Sequence, residues 1–198
     1  MQFATKLALI LMLSAGFAGC SDDDDDSNPT GPSAGASLAV VNTGGDDEYN
    51  LAVIDYRNGA AWNDLMPLNG TSEMAQYGSN IYIVDKSGDR VIRFDPVNRT
   101  VTGELSTGPG SAPATIVFAS GTKAYVTLAD SAAVKIINHS SMTVTGSIDI
   151  SALADADGDP DQDHAVIKDG TLYVALRRSD GRRLNDYSSL ALIDVATD

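Results

Sequence analysis

Asn80-Ile-Tyr-Ile-Val-Asp85, Val91-Ile-Arg-Phe-Asp95 and Thr100-Val-Thr-Gly-Glu-Leu105 are followed by a second set, Lys123-Ala-Tyr-Val-Thr-Leu128, Val134-Lys-Ile-Ile-Asn138 and Thr143-Val-Thr-Gly-Ser-Ile148. These two stretches decide the fold. Each is three short runs of Val, Ile, Thr and Tyr punctuated by Gly and Asp, the pattern of successive strands, and no apolar stripe of helical period extends for ten residues. Tyr82 and Tyr125 are 43 residues apart. Upstream, Leu38-Ala-Val-Val-Asn42 and Leu51-Ala-Val-Ile-Asp55 supply the first two runs at the same offset. Downstream, Tyr173 in Thr171-Leu-Tyr-Val-Ala175 lies 48 residues beyond Tyr125 and precedes Leu190-Ala-Leu-Ile-Asp194. A period in the forties made of short strands marks the blades of a β-propeller, each a four-stranded antiparallel sheet unable to bury both faces alone.

The strands of one repeat are labelled A to D outward from the propeller axis. Residues 114–119 are expected as strand A, 123–128 as B, 134–138 as C and 143–150 as D. Asp55, Asp95, Asn138 and Asp194 each close a strand C, where a short acceptor side chain hydrogen-bonds the backbone two residues on and fixes the turn. From residue 38 the order runs B, C, D, then A to D twice, then A, B, C. That predicts an all-β fold of about three and a half blades over residues 38–198, the N-terminal fragment of a seven-bladed ring. Two copies pairing into one ring is the alternative.

At these residues the chain resembles the YVTN family of bacterial β-propellers, whose blades carry a Lys-x-Tyr-Val-Thr-Asn strand, a Val-x-Val-Ile-Asp strand and a Val-Gly-x-x-Pro link. The matches are residues 123–127, 134–138 and 107–113, with Leu128 standing where the family has Asn. The resemblance covers residues 38–198 and implies a fold. It implies no single activity, since such propellers include surface-layer proteins and host unrelated functions.

The N-terminus supplies a second line of inference. Residues 1–19 carry one cation, Lys6, then an apolar run from Leu7 to Leu13, then small residues, which is the layout of a secretory signal. The run is too short to cross a bilayer as a helix. Phe17-Ala18-Gly19-Cys20 resembles the bacterial lipobox, which implies cleavage before Cys20, its acylation with palmitate, and a membrane anchor. Ser21 after the cysteine implies the outer membrane, with the protein facing periplasm or surface. The alternative is a soluble secreted protein with an incidental cysteine. Cys20 is the only cysteine, so no internal disulfide is available. Residues 20–37 then form an acidic tether: five consecutive aspartates followed by Pro, Gly, Ser and Ala have nothing large to bury and repel one another.

Charge narrows the partners. The chain carries 13 basic and 27 acidic groups, a net of −14, which excludes nucleic acid as an expected partner. Because neighbouring strands in a blade run antiparallel, the B–C loop and the D-to-A link emerge at one end of the sheet, and the A–B and C–D turns at the other. Two long segments share the first end, the link at residues 154–164 and the B–C loop at residues 177–188. Loops on a rigid scaffold are where function concentrates.

The link places Asp155, Asp157, Asp159, Asp161 and Asp163 at alternate positions. In an extended chain all five would project from one side and repel. Calcium, satisfied by several oxygen ligands, is the cofactor this pattern suggests, although Pro160 and Val166 stand where an EF-hand loop needs Gly and Glu. The competing account is a solvated loop partly neutralised by Arg177, Arg178, Arg182 and Arg183.

No nucleophile elbow, phosphate loop or paired metal-binding histidine is present. The two histidines, His139 in a C–D turn and His164 at the start of an inner strand, fit turn or core roles. Trp62 is expected to pack between blades. Two functions stay open: a non-catalytic envelope module binding protein or glycan through its loop face, and a propeller enzyme, lactonase-like or quinoprotein-like, with ligands projecting into the central channel.

Overall fold

The computed structural model describes residues 37–43, 49–55, 59–69, 72–155, 158–177 and 188–198, so Cys20 and the tether lie outside the described residues. Among the described residues fourteen strands make four antiparallel sheets. The first holds β1 (Ser37–Thr43), β2 (Tyr49–Asp55) and β3 (Ala60–Leu68). The second holds β4 (Ser72–Tyr77), β5 (Asn80–Asp85), β6 (Arg90–Asp95) and β7 (Thr100–Ser106). The third holds β8 (Pro113–Phe118), β9 (Lys123–Leu128), β10 (Ala133–Asn138) and β11 (Thr143–Asp149). The fourth holds β12 (Gln162–Lys168), β13 (Thr171–Leu176) and β14 (Ser189–Asp194). No α-helix occurs among the described residues; one 3-10 turn spans Ser151–Leu153. In every sheet neighbours in space are neighbours in sequence, so each is a blade-like meander, and the molecule is a partial β-propeller.

Period-2 alternation explains how the sheets stack. In β5, Ile81 and Ile83 point to the first sheet, where Ile83 packs with Leu51, Val53, Leu68, Met74, Ile92 and Phe94. Tyr82 and Val84 point the other way, into a core with Val91, Leu105, Ile116, Val126, Leu128 and Ile137. Tyr125, one repeat later, faces Leu172, Val174 and Leu176 of the fourth sheet. Each Leu, Ile or Val so buried contributes about 1.5–3 kcal/mol. Trp62 packs against the first of these cores, and the Arg99 guanidinium lies 4.3 Å from its ring centroid.

The turns follow the sequence. Asp95 Oδ1 accepts the N–H groups of Val97 (2.8 Å) and Asn98 (3.1 Å), Asn138 Oδ1 those of Ser140 (3.0 Å) and Ser141 (3.1 Å), and Asp194 Oδ1 that of Ala196 (2.9 Å). Bonds between turns divide the loops between two ends, as antiparallel order requires. His139 N–H reaches Thr122 O at one end, while Ala129 N–H reaches Ala112 O and Thr107 N–H reaches Asp89 O at the other. The second end is called the link face below.

Two aspartates stiffen the link face. Asp85 is fully buried and accepts bonds from Arg90 Nε (2.8 Å), Asn69 N–H (3.1 Å) and Gly88 N–H (3.2 Å). Gly88 is required there, because a Cβ would stand 2.4 Å from Asp85 Oδ2. Asp89 accepts Gly110 N–H at 2.6 Å and Ala112 N–H at 2.9 Å, pinning the link between the second and third sheets.

Hydrogen bonds from the Ala112 and Gly110 backbone hold the Asp89 carboxyl below its usual pKa. A depressed carboxylate stabilises the fold fully above the unfolded value near pH 4, and the contribution is lost as pH falls through the folded value. Asp89→Ala is therefore expected to lower the melting temperature at pH 7, with the deficit shrinking below roughly pH 4 in thermal melts recorded across pH.

On the far side of the fourth sheet, Val166, Leu190 and Leu192 are 57–63% exposed. Val166, Tyr173 and Leu192 form one row across that sheet, as the covered row Val117, Tyr125 and Ile136 does in the third. An open apolar face of this kind associates. Residues 38–198 alone are expected to sediment as oligomers, and Leu190→Lys with Leu192→Lys to shift them toward monomer.

Candidate functional site

The first three residues of each complete inner strand lie at the link face, and there the sheets are joined by polar side chains. Thr115 Oγ1, on β8, donates to Glu73 Oε1, on β4, at 2.8 Å. The Thr115 N–H donates to Thr127 Oγ1 (3.1 Å), and the Thr127 hydroxyl donates to the backbone oxygen of Asp163 at the head of β12 (2.7 Å). One network thus runs from the second sheet through the third to the fourth.

Asp163 ends this network in an ion cluster. Its Oδ1 is 2.9 Å from His164 Nδ1, and its Oδ2 is 3.5 Å from Arg177 Nε. A carboxylate only accepts, so Nδ1 is the donor, on a side chain that is 74% exposed. The register of β12 against β13 shifts between Gln162 and Ala165, and the same irregularity separates Pro113 from Thr115 in β8. A bulge breaks the strict alternation of side chains, which lets the adjacent residues Asp163 and His164 meet. His164 is accordingly a surface group, not the core or turn residue its position suggested.

Burial raises the pKa of Glu73; the Thr115 hydroxyl and His164 pull it down, and Asp163 pushes it up. Burial is the largest of these influences. The carboxyl therefore keeps its proton to a higher pH than a solvated glutamate does.

The acidic link takes a different path from the extended one expected. Gly158 N–H bonds Asp155 O (3.2 Å), Asp155 N–H bonds Asp159 O (3.4 Å), and Asp159 Oδ1 accepts Asp161 N–H (3.0 Å), so the chain turns back on itself. Asp161 has a left-handed backbone (φ 51°), and strand β12 starts only at Gln162. The turn and the bulge end the strict alternation, so Asp163 sits apart in its pair with His164 and Arg177. Asp157, Arg178, Arg182 and Arg183 lie outside the described residues. Arg177 joins the two long segments directly, through its N–H to Asp161 O at 3.0 Å. Among the described residues no three His, Cys, Asp or Glu side chains converge on a metal-holding position.

His139 behaves differently. It is 2% exposed, with Nδ1 3.0 Å from Tyr82 Oη and Nε2 3.0 Å from Ser120 O, and its ring meets those of Tyr77, Tyr82 and Phe118. It is a joint between the second and third sheets at the end opposite the link face.

Glu73 and Thr115 are site residues that no motif in the sequence marks. The usable signal is spacing: Glu73 lies nine residues before Tyr82, whereas Thr115 and Asp163 lie ten before Tyr125 and Tyr173. In the fourth sheet the extra residue is the one taken up by the bulge between Gln162 and Ala165; in the third the pairing from Thr115 to Phe118 is regular, and the extra residue lies in the turn that follows Phe118.

Glu73→Gln keeps an acceptor for Thr115 and removes a charge that burial disfavours. A carboxyl whose folded pKa is raised opposes folding once pH exceeds its unfolded value. The variant is expected to melt at or above the wild-type temperature at pH 7, with the difference vanishing below about pH 4; a lower midpoint at pH 7 contradicts this account of the network.

No protein-family model and no curated protein matches the sequence. Solved structures do. Hydrazine synthase of Kuenenia stuttgartiensis is similar with a TM-score of 0.63 and 21% identity over 83% of this chain and 44% of that one. BamB from Moraxella catarrhalis gives 0.56 and 14%, over 82% and 47%, and virginiamycin B lyase from Staphylococcus aureus 0.56 and 12%, over 80% and 52%. The chain spans about half the length of each of these structures, or less. At such identities the likeness is one of fold, and the fold they share with this chain is the β-propeller.

Proposed function

We propose that the protein is a lipid-anchored β-propeller of the bacterial envelope, held in the outer membrane through Cys20, that works as a non-catalytic binding module for an envelope protein or glycan. The observation that carries this reading is the junction of the two longest link-face segments, fastened by Arg177 to Asp161 O and to the Asp163 carboxylate. A rigid stack of sheets presents that junction, and the acidic tether gives it reach from the membrane surface. The lipobox-like Phe17-Ala18-Gly19-Cys20 supports the anchor.

A second reading, a propeller enzyme, is favoured by one observation. His164, oriented by Asp163, and the half-buried Glu73 both sit at the heads of inner strands, where a channel site would draw its acid and base.

Mass spectrometry of the native protein is expected to find residues 1–19 absent and Cys20 acylated, and Cys20→Ser to move the protein from the membrane to the soluble fraction. An unmodified Cys20 on a soluble mature chain overturns the anchor. Crosslinking in intact cells tests the face: wild type is expected to capture an envelope component that a variant with Asp159, Asp161 and Arg177 replaced by Ser does not, and equal capture by both removes the link face from the function.

A further inference from the structure

At the end opposite the link face, the two joints between sheets share a fastening but not a filling. Between the second and third sheets, Arg93 donates to His139 O and Ser140 O, and the Tyr82 hydroxyl meets His139 Nδ1 at 3.0 Å. Met142 closes over Gly103, where a Cβ would stand 2.6 Å from Met142 Cγ. One repeat on, the same places carry other side chains. Ile136 stands for Arg93, two residues before the one that closes its strand C, and Val195 and Asp198 stand for His139 and Met142, one and four residues after it. The Tyr125 hydroxyl, equivalent to that of Tyr82, is buried without a hydrogen-bond partner. The nearest atoms to a Cβ built on Gly146 all belong to Ile136, in the same sheet. This seam therefore lacks the guanidinium, imidazole and thioether of the preceding one, and it holds an open cavity of about 330 Å³. That is within the size range of small-molecule sites.

The lining selects a chemical class. Lys123 Nζ donates to Val195 O at 3.0 Å and pairs with Asp198, whose backbone is exposed but whose side chain is turned inward and 2% exposed. The pair is neutral as a whole, so a simple anion would meet the carboxylate and a simple cation the ammonium. A neutral polyol suits both, because each of its hydroxyls donates and accepts. The ammonium has a third proton and the carboxylate further lone pairs, so neither has to give up the bonds it makes. Thr122, Asn138 and Thr145 add hydroxyl and amide groups to the lining, and Ile136 supplies an aliphatic wall for the C–H face of a ring. Behind the pair lies the Tyr125 side chain, its ring centroid 5.2 Å from Lys123 Nζ and its pKa raised by burial first and by Asp198 second.

We infer that this cavity binds one neutral sugar unit, with ring hydroxyls on the Lys123–Asp198 pair and the apolar face of the ring on Ile136. The site lies away from the link face and does not rest on what that face binds.

The complete mature protein is mixed with glucose, galactose, mannose or N-acetylglucosamine and read by saturation-transfer NMR, with glycerol and glucuronate as controls. At least one neutral sugar is expected to bind at millimolar concentration, and glycerol is not. Ile136→Arg, which places in this seam the side chain that fills the preceding one, is expected to weaken binding at least tenfold. Lys123→Met is expected to do the same, and if either variant does not fold the other decides. Replacing Asp159, Asp161 and Arg177 by Ser, which disables the link face, is expected to leave sugar binding unchanged, so the two sites fail separately. Absence of transfer to every neutral sugar at millimolar concentration overturns the proposal. Equal transfer to glycerol, binding of glucuronate alone, or undiminished binding by a folded Ile136→Arg or Lys123→Met variant overturns it as well.

Discussion

An antiparallel sheet of three or four short strands, apolar on both faces, has nowhere to hide either face by itself. Stacking on another sheet of the same kind is what makes each of these meanders stable, and the rest of the structure is arranged around that necessity. The strands alternate so that Ile83 serves one seam and Tyr82 the next, one residue away. The same division falls on Val126 and Tyr125 in the third sheet. Seam packing is therefore the term that outweighs the modest strand propensity of an inner strand such as Ser-Glu-Met-Ala-Gln-Tyr.

Stacking alone leaves sheets free to slide, and polar contacts at the two ends fix their relative position. At the turn end, a cation from one sheet holds the C–D turn of the next. Arg93 donates to His139 O and Ser140 O, and Lys123 donates to Val195 O and pairs with Asp198. His139 and Val195 are equivalent positions, each following the residue that closes a strand C, so the same carbonyl is used twice by different cations. At the link end the fasteners are Asp85, Asp89 and Gln162, two carboxylates that accept and one amide that donates, each with different partners. The turn end is thus repetitive and the link end is individual, which is the division expected between scaffold and site.

What could be read from the sequence follows that same division. Outer strands and their closing Asp or Asn residues repeat in sequence, and strand boundaries, turn acceptors and the grouping of loops by end were all legible. Inner strands were harder. Residues 72–77 carry no run of β-branched residues, and Glu73 makes sense only once Thr115 is set beside it by stacking. The acidic link was legible as a cluster of charge but not as a shape. Alternation at residues 155 to 163 assumes an extended backbone, and local bonds at Asp155, Asp159 and Asp161 bend it instead. Nothing in the charge pattern pointed to Gln162, an uncharged, buried residue whose amide fastens the loop at Ser131 and Ala133.

The bulge at the head of β12 has a consequence for how such a molecule diversifies. One added residue in an inner strand re-aims the side chains before it, while the pairing from Ala165 to Lys168 and the whole seam behind it stay in register. In this chain that single step sets an imidazole beside a carboxylate at the mouth of the stack. A lineage of repeats can therefore acquire new surface chemistry by insertion at one residue, in the first strand of a sheet, and leave the architecture it inherited untouched.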